Sequence, residues 1–286
     1  MYTLSFDFGS TNIKYLVFNI TENREETNIK LVGKGRSAVT DFALFIYDIL
    51  KEYHIDIKHI DKIVVTGTGS SFLGNDFEGV EIIKVDEFDA IAYGGLLLSK
   101  LDAGNIVSIG TGTTIIYSDL HEVKRLGGTG LGGGTLVGLG SAILSDIGND
   151  KREITNFMTL IDMAKKGNKS NVDLIIGDIN KGNIGNMTSD ITAANFAATN
   201  KEANKYDYIS ALLNMILESI ALLVKAVGEN RKTVYIGTMM SDDYVRKCML
   251  KITEYTKSDI MFVDNSEFAI VIGAWEYYLL NIRKNY

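Results

Sequence analysis

The chain contains no proline and almost no cysteine. Among its 286 residues there is one cysteine, Cys248. A single cysteine cannot form an internal disulfide, cannot hold an iron–sulfur cluster alone and leaves no CxxC metal pair. The sequence also lacks a GxxxxGK[ST] motif, which argues against a P-loop enzyme. These absences favour a cytoplasmic protein that depends on neither disulfides nor cysteine-bound metal.

Basic charge and long apolar runs are scarce as well. The chain has 29 Lys and Arg against 36 Asp and Glu, a formal net charge of -7. Such a balance disfavours nonspecific binding to nucleic acids or anionic membranes. The N-terminus has no basic segment followed by an apolar one, and no apolar run reaches the roughly 20 residues needed to cross a bilayer. We therefore expect no nucleic-acid partner, no export and no membrane insertion.

What is present indicates a globular α/β protein. Hydrophobic residues make up 46% of the chain, which at this length is enough for a sizeable core and typically for two domains. Alternation over Thr3 to Asp7, a turn, and renewed alternation in "IKYLVFN" predict a β-hairpin. Further strands are predicted at "IKLVGKG", "KIVVTGTG" and "VEIIKV", and helices at "DFALFIYDILKEY" and "DEFDAIAYGGLLLSK".

The pattern of the N-terminal hairpin recurs in the middle of the chain. "IVSIGTGTTIIYSD" is similar to "SFDFGSTNIKYLVFN", which predicts two related α/β domains, 1–103 and 104–286. In the second domain, strands are predicted at "EVKRL", "TVYIGT" and "IMFVD", and a last helix at "EFAIVIGAWEYYLLNI". An apolar stripe over residues 208–227 predicts a helix buried against the sheet or a second subunit.

Three turns combine glycine with hydroxyl residues: "DFGSTNIK", "SIGTGTT" and "GGTGLGGGT". Glycine lets backbone N–H groups approach phosphate oxygens, and a following helix adds a favourable dipole. Together the turns indicate a nucleotide held between two lobes, although each alone could be a tight hairpin. A GxGxxG match at Gly128, Gly130 and Gly133 makes a dinucleotide site a minor alternative.

The chain resembles the type II pantothenate kinases. The resemblance lies in these three turns and in the segments "VDEFDAIAYG", "DITAANF" and "VYIGT", which occur in the order expected of that family. That family belongs to the superfamily of ATP-binding proteins that includes acetate and sugar kinases, heat-shock proteins and actin. The resemblance implies two ribonuclease-H-like, actin-like ATPase lobes with ATP and Mg²⁺ in the cleft between them. It also implies phosphorylation of pantothenate to 4′-phosphopantothenate, the first step of coenzyme A biosynthesis, by a homodimer.

The family pattern assigns catalytic roles in the first domain. Asp7 is expected beside the magnesium ion and Lys14 close to the transferred phosphate, while the first phosphate turn contains Gly9, Ser10 and Thr11. Glu87 matches the catalytic glutamate, which would accept the proton of the attacking hydroxyl. Its neighbours Asp86 and Asp89 compete for this role, although Asp86 also suits the N-cap of the helix.

The resemblance assigns substrate contacts in the rest of the chain. Arg125 matches the arginine that contacts pantothenate, and a guanidinium can bind a carboxylate through two parallel hydrogen bonds. Thr111 and Thr114 are expected to line the pantothenate and phosphate site, and Gly237 to lie against the adenosine. The residues expected around the ATP phosphates are Gly128, Thr129, Gly130, Gly132, Gly133 and Gly134. One departure is Ser108, which stands where the superfamily has a second aspartate.

Two other functions fit the same superfamily. One is a kinase acting on another small hydroxyl acceptor, and the other is an actin-like filament or chaperone-like ATPase switch. The single cysteine excludes the sugar kinases with a cysteine-rich zinc motif and the dehydratase-activating ATPases with an iron–sulfur cluster. A catalytic Glu87 with a carboxylate clamp at Arg125 favours the kinase over the filament.

Overall fold

The computed structural model describes residues 1–22, 27–37, 41–119, 121–148, 155–180, 188–198 and 202–283. They form two compact α/β units, which confirms the predicted fold class. Unit 1 comprises Met1–Ile106, Ile116–Arg125 and Val263–Tyr286, and unit 2 comprises Val107–Ile115 and Leu126–Phe262.

These units differ from the predicted domains 1–103 and 104–286, because the chain crosses between them more than once. The last 24 residues belong to unit 1, to which the C-terminal helix returns. There the Ser5 hydroxyl donates a 3.2 Å hydrogen bond to the Val271 carbonyl, 266 positions along the chain. No local pattern in the sequence indicates this long-range return.

The sheet of unit 1 has six strands in the order β3-β2-β1-β4-β6-β5. Its strands are β1 (Tyr2–Phe8), β2 (Ile13–Glu22), β3 (Thr27–Ser37), β4 (Ile60–Thr66), β5 (Asp76–Phe77) and β6 (Val80–Lys84). Strands β1 and β2 are antiparallel, which confirms the predicted hairpin. Strand β1 is parallel to β4, and β4 to β6. The carboxyl ends of these three strands therefore share one edge of the sheet.

In the described part of unit 1 there are three α-helices: α1 (Phe42–Glu52), α2 (Glu87–Ser99) and α8 (Ala269–Tyr277), the last continued by a π-helical turn at Tyr278–Ile282. Helix α1 packs its apolar face, formed by Phe45, Ile46, Ile49 and Leu50, into the hydrophobic core that it shares with the sheet of unit 1. Helix α2 begins after Asp86, whose Oδ1 accepts a 2.8 Å hydrogen bond from the amide of Phe88. This confirms the capping role predicted for Asp86. Short 3₁₀ turns lie at Ile57–His59, Thr68–Phe72 and Ser266–Phe268.

Helices α2 and α8 approach each other closely through two glycines. A Cβ atom at Gly94 would lie 1.9 Å from the carbonyl oxygen of Ala269, and one at Gly273 would lie 1.9 Å from that of Ala90. Only the absence of a side chain at both positions permits this backbone contact. Because α2 begins at Glu87, the contact also fixes the position of that carboxylate within unit 1.

We expect Gly273→Ala to lower the free energy of unfolding by about 1–3 kcal/mol, because the added methyl group forces the two helix backbones apart. The measurement is the urea unfolding midpoint. The matched control is Gly74→Ala in the same unit, where the nearest atom to a new Cβ is a backbone oxygen of Asp76 at 3.7 Å. Equal midpoints for the two variants would contradict the close packing of α2 on α8.

The second sheet has five strands in the order β13-β12-β7-β8-β9, and a two-stranded sheet pairs β10 with β11. Their bounds are β7 (Gly104–Ile109), β8 (Thr113–Ser118), β9 (Val123–Thr129), β10 (Leu174–Ile175), β11 (Thr192–Ala194), β12 (Thr233–Ile236) and β13 (Ile260–Phe262). The helices of unit 2 are α3 (Gly133–Gly148), α4 (Phe157–Ala164), α5 (Ile176–Ile179), α6 (Lys205–Val227) and α7 (Asp243–Thr256), with 3₁₀ turns at Lys169–Asn171 and Thr238–Ser241.

The long helix α6 forms the centre of the core of unit 2. It begins at the N-cap Asn204, whose side chain accepts from the amides of Tyr206 and Asp207, while Asp207 accepts from the amide of Asn204. The predicted apolar stripe packs into the core of its own unit, with these residues fully buried or nearly so: Ile209, Leu212, Leu213, Ile216, Ile220 and Val224. The sequence predicts that this stripe is buried either against the sheet or against a second subunit. The structure shows it buried within its own unit.

Within the described residues, α6 is the one helix that is long and apolar enough to cross a membrane by length and composition. Asn214 and Glu218 interrupt its apolar sequence, so it contains no uninterrupted apolar run of the length predicted to be absent. Its stripe is occupied by the core of unit 2, as expected for the central helix of a globular domain.

Candidate active site

The shared edge of β1, β4 and β6 gathers acidic and hydroxyl side chains. Asp7 is next to last in β1 and pairs in register with Thr66, the last residue of β4. Glu87 follows β6 as the first residue of α2. Ligand sites of α/β proteins commonly lie at such carboxyl ends of parallel strands. The topology therefore brings together two of the predicted catalytic residues, Asp7 and Glu87.

Asp7 and Lys14 form a buried ion pair. They face each other in the register of the β1–β2 hairpin, and the Lys14 Nζ lies 3.3 Å from the Asp7 Oδ2. Their side chains are 12% and 4% exposed for Lys14 and Asp7, respectively. Burial raises the pKa of Asp7, and the ammonium of Lys14 opposes this rise. The third predicted catalytic residue is therefore part of the same cluster.

Glu87 is half-buried and its pKa is raised. Burial is the largest cause, followed by the negative charges of Asp7 and Asp86, while Lys14 acts in the opposite direction. Burial also raises the pKa of Asp89, and among the described residues the charge that adds to this rise is that of Asp86. Glu87, unlike Asp89, thus interacts electrostatically with both Asp7 and Lys14. A raised pKa makes its carboxylate a stronger base.

One oxygen of Asp7 is suited to a divalent cation. The Oδ2 atom accepts from Lys14, whereas the Oδ1 atom has no hydrogen-bond partner within the described ranges. A Cβ atom at residue 67 would lie 2.8 Å from Oδ1, so Gly67 keeps the adjacent space open. Mg²⁺ prefers carboxylate oxygens and commonly binds through one or two of them together with substrate phosphates. Asp7 fits that pattern.

The predicted first phosphate turn lies immediately beyond Asp7. Gly9, Ser10 and Thr11 are exposed in the connection between β1 and β2. A Cβ atom at Gly9 would lie 3.0 Å from the carbonyl oxygen of Asn12, so the turn is tight at this glycine. The phosphate contacts of these three residues stay predictions.

Arg125 lies on β9 with an exposed side chain. No ion pair joins its guanidinium to a carboxylate in the part of the chain that the structure describes. Its neighbour Lys124 is also exposed. The Arg125 guanidinium is thus accessible to a carboxylate-bearing ligand, as its predicted role requires.

In unit 2 the glycine-rich loop between β9 and α3 interlocks with the β7–β8 turn. The amide of Gly133 donates to the carbonyl of Gly110 at 2.8 Å, and the amide of Gly134 donates to that of Thr111 at 2.9 Å. A Cβ atom at Gly132 would lie only 2.6 Å from the Thr111 carbonyl oxygen. Part of the glycine content is therefore explained by packing of one turn on the other.

Side chains secure the same loop. The hydroxyl of Thr113 donates to the carbonyl of Leu131 at 2.8 Å, a contact that sequence reasoning missed. Thr129 Oγ1 accepts from the amide of Leu131, and Thr135 Oγ1 donates to the carbonyl of Gly130. Gly128 is half-buried in this loop. The phosphate contacts predicted for the loop stay predictions, and those of Gly133 and Gly134 cannot use amides that are already bonded.

The remaining predicted residues of unit 2 lie around the end of β7. Thr111 is exposed and Thr114 is half-buried in the β7–β8 hairpin. Gly237 follows β12 with a φ of +101°, and a Cβ atom there would lie 2.4 Å from the carbonyl oxygen of Ile109. This conformation requires glycine whether or not adenosine binds beside it. The structure thus brings Gly237 close to the β7–β8 turn.

Comparison with solved structures defines the fold class. The chain is similar to the activator of the 2-hydroxyisocaproyl-CoA dehydratase from Clostridium difficile with bound ADPNP, with a TM-score of 0.62 and 16% sequence identity. The match covers 97% of this chain and 94% of that chain. The two α/β units therefore have the actin-like ATPase fold, as predicted.

Comparison of sequences defines the family. The Fumble family matches residues 105–274. The type II pantothenate kinase of Oceanobacillus iheyensis is 32% identical, over 73% of this chain and 79% of that protein. The type II pantothenate kinase of Bacillus cereus strain G9842 is 28% identical, over 95% of this chain and 97% of that protein. The chain belongs to the type II pantothenate kinase family and is a kinase.

Proposed function

We propose that the protein transfers the γ-phosphoryl group of ATP to the 4′-hydroxyl of pantothenate. The product is 4′-phosphopantothenate, formed in the first step of coenzyme A biosynthesis. The observation that carries the proposal is the cluster of Asp7, Lys14 and Glu87 at one sheet edge, in a chain that belongs to the type II pantothenate kinases. Phosphoryl transfer needs mainly positioning and charge neutralisation, and this cluster supplies groups for both.

Glu87 acts as the general base in this proposal. A primary hydroxyl is a poor nucleophile at neutral pH, and a positioned carboxylate that accepts its proton accelerates the transfer about 10²- to 10⁴-fold. The oxygen of Asp86 caps α2 instead. The charges of Asp7 and Lys14 act on Glu87 and not on Asp89, which supports Glu87 as the carboxylate nearest the transferred phosphate.

Asp7 and Lys14 neutralise phosphate charge. Lys14 supplies a cation, and its ion pair with Asp7 holds the ammonium group in place before ATP arrives. Asp7 would hold Mg²⁺ through its Oδ1 atom. When bound, Mg²⁺ supplies charge neutralisation on the ATP phosphates.

The other predicted residues bind and orient the substrates. Arg125 holds the pantothenate carboxylate, with Thr111 and Thr114 lining the acceptor site. The ATP phosphates are assigned to residues 9–11, 128–130 and 132–134, without the amides of Gly133 and Gly134, which are bonded to the β7–β8 turn. The adenosine is assigned to Gly237. We further propose that the enzyme acts as a homodimer, as the resemblance to the family implies, and that it acts in the cytoplasm, which the single cysteine favours.

The proposal is tested by measuring ATP consumption of the purified protein with Mg²⁺, with and without pantothenate. A panel of sugars and short hydroxy acids serves as the comparison. Strong stimulation by pantothenate alone supports the proposal. Stimulation by another alcohol would show that this compound, and not pantothenate, is the phosphoryl acceptor. ATP hydrolysis that no acceptor affects would favour an ATPase switch.

The pH dependence of the reaction follows from the raised pKa of Glu87. A general base must be deprotonated, so kcat/KM for pantothenate should fall as the pH decreases through that pKa, approaching tenfold per pH unit. This acid limb should lie above the ordinary range of a glutamate. It should disappear from the residual activity of Glu87→Gln, and its persistence in that variant would assign the limb to another group.

A further inference from the structure

A cavity of about 480 Å³ lies wholly within unit 2. Its walls are residues 167–170, the three residues Thr188, Asp190 and Ile191, and the facing sides of α6 and α7. This volume is within the usual range of small-molecule sites, and none of the residues assigned above to catalysis or substrate binding lines it. The cavity is therefore separate from the residues proposed for the kinase reaction.

One wall of the cavity carries a connected polar network. The ammonium of Lys169 donates to Thr192 Oγ1 at 2.8 Å, and the amide nitrogen of Asn214 donates to the same oxygen at 3.2 Å. Asn214 also donates to Glu218 Oε2 at 3.1 Å, and the Tyr255 hydroxyl donates to Glu218 Oε1 at 2.6 Å. Glu218 is only 8% exposed. The network therefore fixes a buried carboxylate and an ammonium at the same wall.

The network has unused hydrogen-bonding capacity. An ammonium group has three donors, and Lys169 makes one hydrogen bond to the residues that the structure describes. Within those residues Lys169 and Glu218 do not form an ion pair, although the negative charge of Glu218 raises the pKa of Lys169. Burial lowers the pKa of Lys169, as expected for an ammonium with too few partners. Additional donors at Lys169 and acceptor positions at Glu218 are thus available to a ligand.

The rest of the lining is largely apolar, and its other charged side chains, Lys251, Asp190 and Glu254, are partly or fully exposed to solvent. Leu213, Ile252, Cys248 and the ring of Tyr244 contribute apolar surface. On the exposed side, Lys251 pairs with Asp190 and cancels its charge. At the buried wall, an anion that approaches Lys169 would also meet the carboxylate of Glu218, and a cation that approaches Glu218 would also meet the ammonium of Lys169. This wall therefore favours a ligand group without net charge.

We infer that this cavity binds a small uncharged molecule that carries a hydroxyl group next to an apolar part. A hydroxyl oxygen accepts and donates at the same atom, so it accepts from the Lys169 ammonium and donates to the Glu218 carboxylate. A ligand carboxylate could only accept, and a ligand ammonium could only donate. The apolar part packs against Leu213, Ile252 and Cys248.

Three probes with the same ring test this assignment: benzyl alcohol, benzoate and benzylammonium. Cys248 is the only cysteine of the chain and lines the cavity, so its alkylation by iodoacetamide reports occupancy. The reaction is run at mildly alkaline pH because burial raises the pKa of this thiol. For a probe of this size we expect a Kd of about 1 mM, so that about 10 mM benzyl alcohol slows alkylation roughly tenfold. Benzoate and benzylammonium should leave the rate nearly unchanged.

Two variants identify the wall that binds the hydroxyl. Lys169→Met removes the donor and should abolish the protection by benzyl alcohol. Lys225→Met, which removes a lysine of α6 outside the lining, should retain it. Equal protection in both variants, or stronger protection by either charged probe, would overturn the assignment. If the thiol does not react in the free protein, a crystal soaked in benzyl alcohol decides, and absence of the probe between Lys169 and Glu218 overturns the proposal.

Discussion

Glu87→Gln is expected to lower kcat for pantothenate phosphorylation about 10²- to 10⁴-fold and to leave the affinity for ATP nearly unchanged. Glutamine keeps the shape of the side chain at the start of α2 but cannot accept the proton of the attacking hydroxyl. It also removes the repulsion between Glu87 and Asp7, so the fold should not be weakened. The loss therefore reports chemistry rather than stability.

The measurement is steady-state kinetics with pantothenate, together with the Kd of ATP measured by calorimetry. Asp89→Asn is the matched control, because this carboxylate lies on the first turn of the same helix and its pKa is also raised by burial. It should retain most of the activity. Full activity in Glu87→Gln, or an equal loss in Asp89→Asn, would contradict the assignment of the base.

Arg125→Ala is expected to raise the KM for pantothenate about 10- to 100-fold with a smaller effect on kcat. Hydrogen bonds to a charged group contribute about 1.5–3 kcal/mol, which corresponds to this range. The guanidinium is exposed on β9 and binds no carboxylate of the described chain, so its removal should leave no buried charge unpaired. The loss should thus fall on binding of the acceptor.

Two comparisons make this result specific. Lys124→Ala removes the adjacent exposed cation and should leave the KM for pantothenate unchanged. Pantothenol, which has a hydroxyl in place of the carboxylate, should be a poor substrate for the unmodified enzyme and should lose little further activity in Arg125→Ala. An equal loss with both acceptors would show that Arg125 does not bind the carboxylate.

Local patterns in the sequence are sufficient to predict the strands and the helix that carry Asp7, Lys14 and Glu87. The alternation of Thr3 to Asp7 and of "IKYLVFN" predicts the β1–β2 hairpin, whose register then pairs Asp7 with Lys14. The sequence "VDEFDA" predicts a helix start with an acidic cap, and Asp86 caps α2 in the structure. In both cases the governing interactions join residues that are near one another in the chain.

Long-range contacts could not be predicted in the same way. The hydrogen bond from Ser5 to Val271 and the interlocking of Gly94 with α8 depend on packing between distant segments. The amides of Gly133 and Gly134 are bonded to the β7–β8 turn, which the glycine pattern alone did not reveal. A glycine-rich sequence permits close approach of backbones, but it does not specify whether the partner is another turn or a phosphate.

The most direct test of the proposed reaction is identification of the product by ³¹P NMR after incubation of the purified protein with ATP, Mg²⁺ and pantothenate. We expect one phosphomonoester on the 4′-hydroxyl of pantothenate, formed in equal amount with ADP and almost absent with Glu87→Gln. ADP and free phosphate without phosphorylated pantothenate would contradict it.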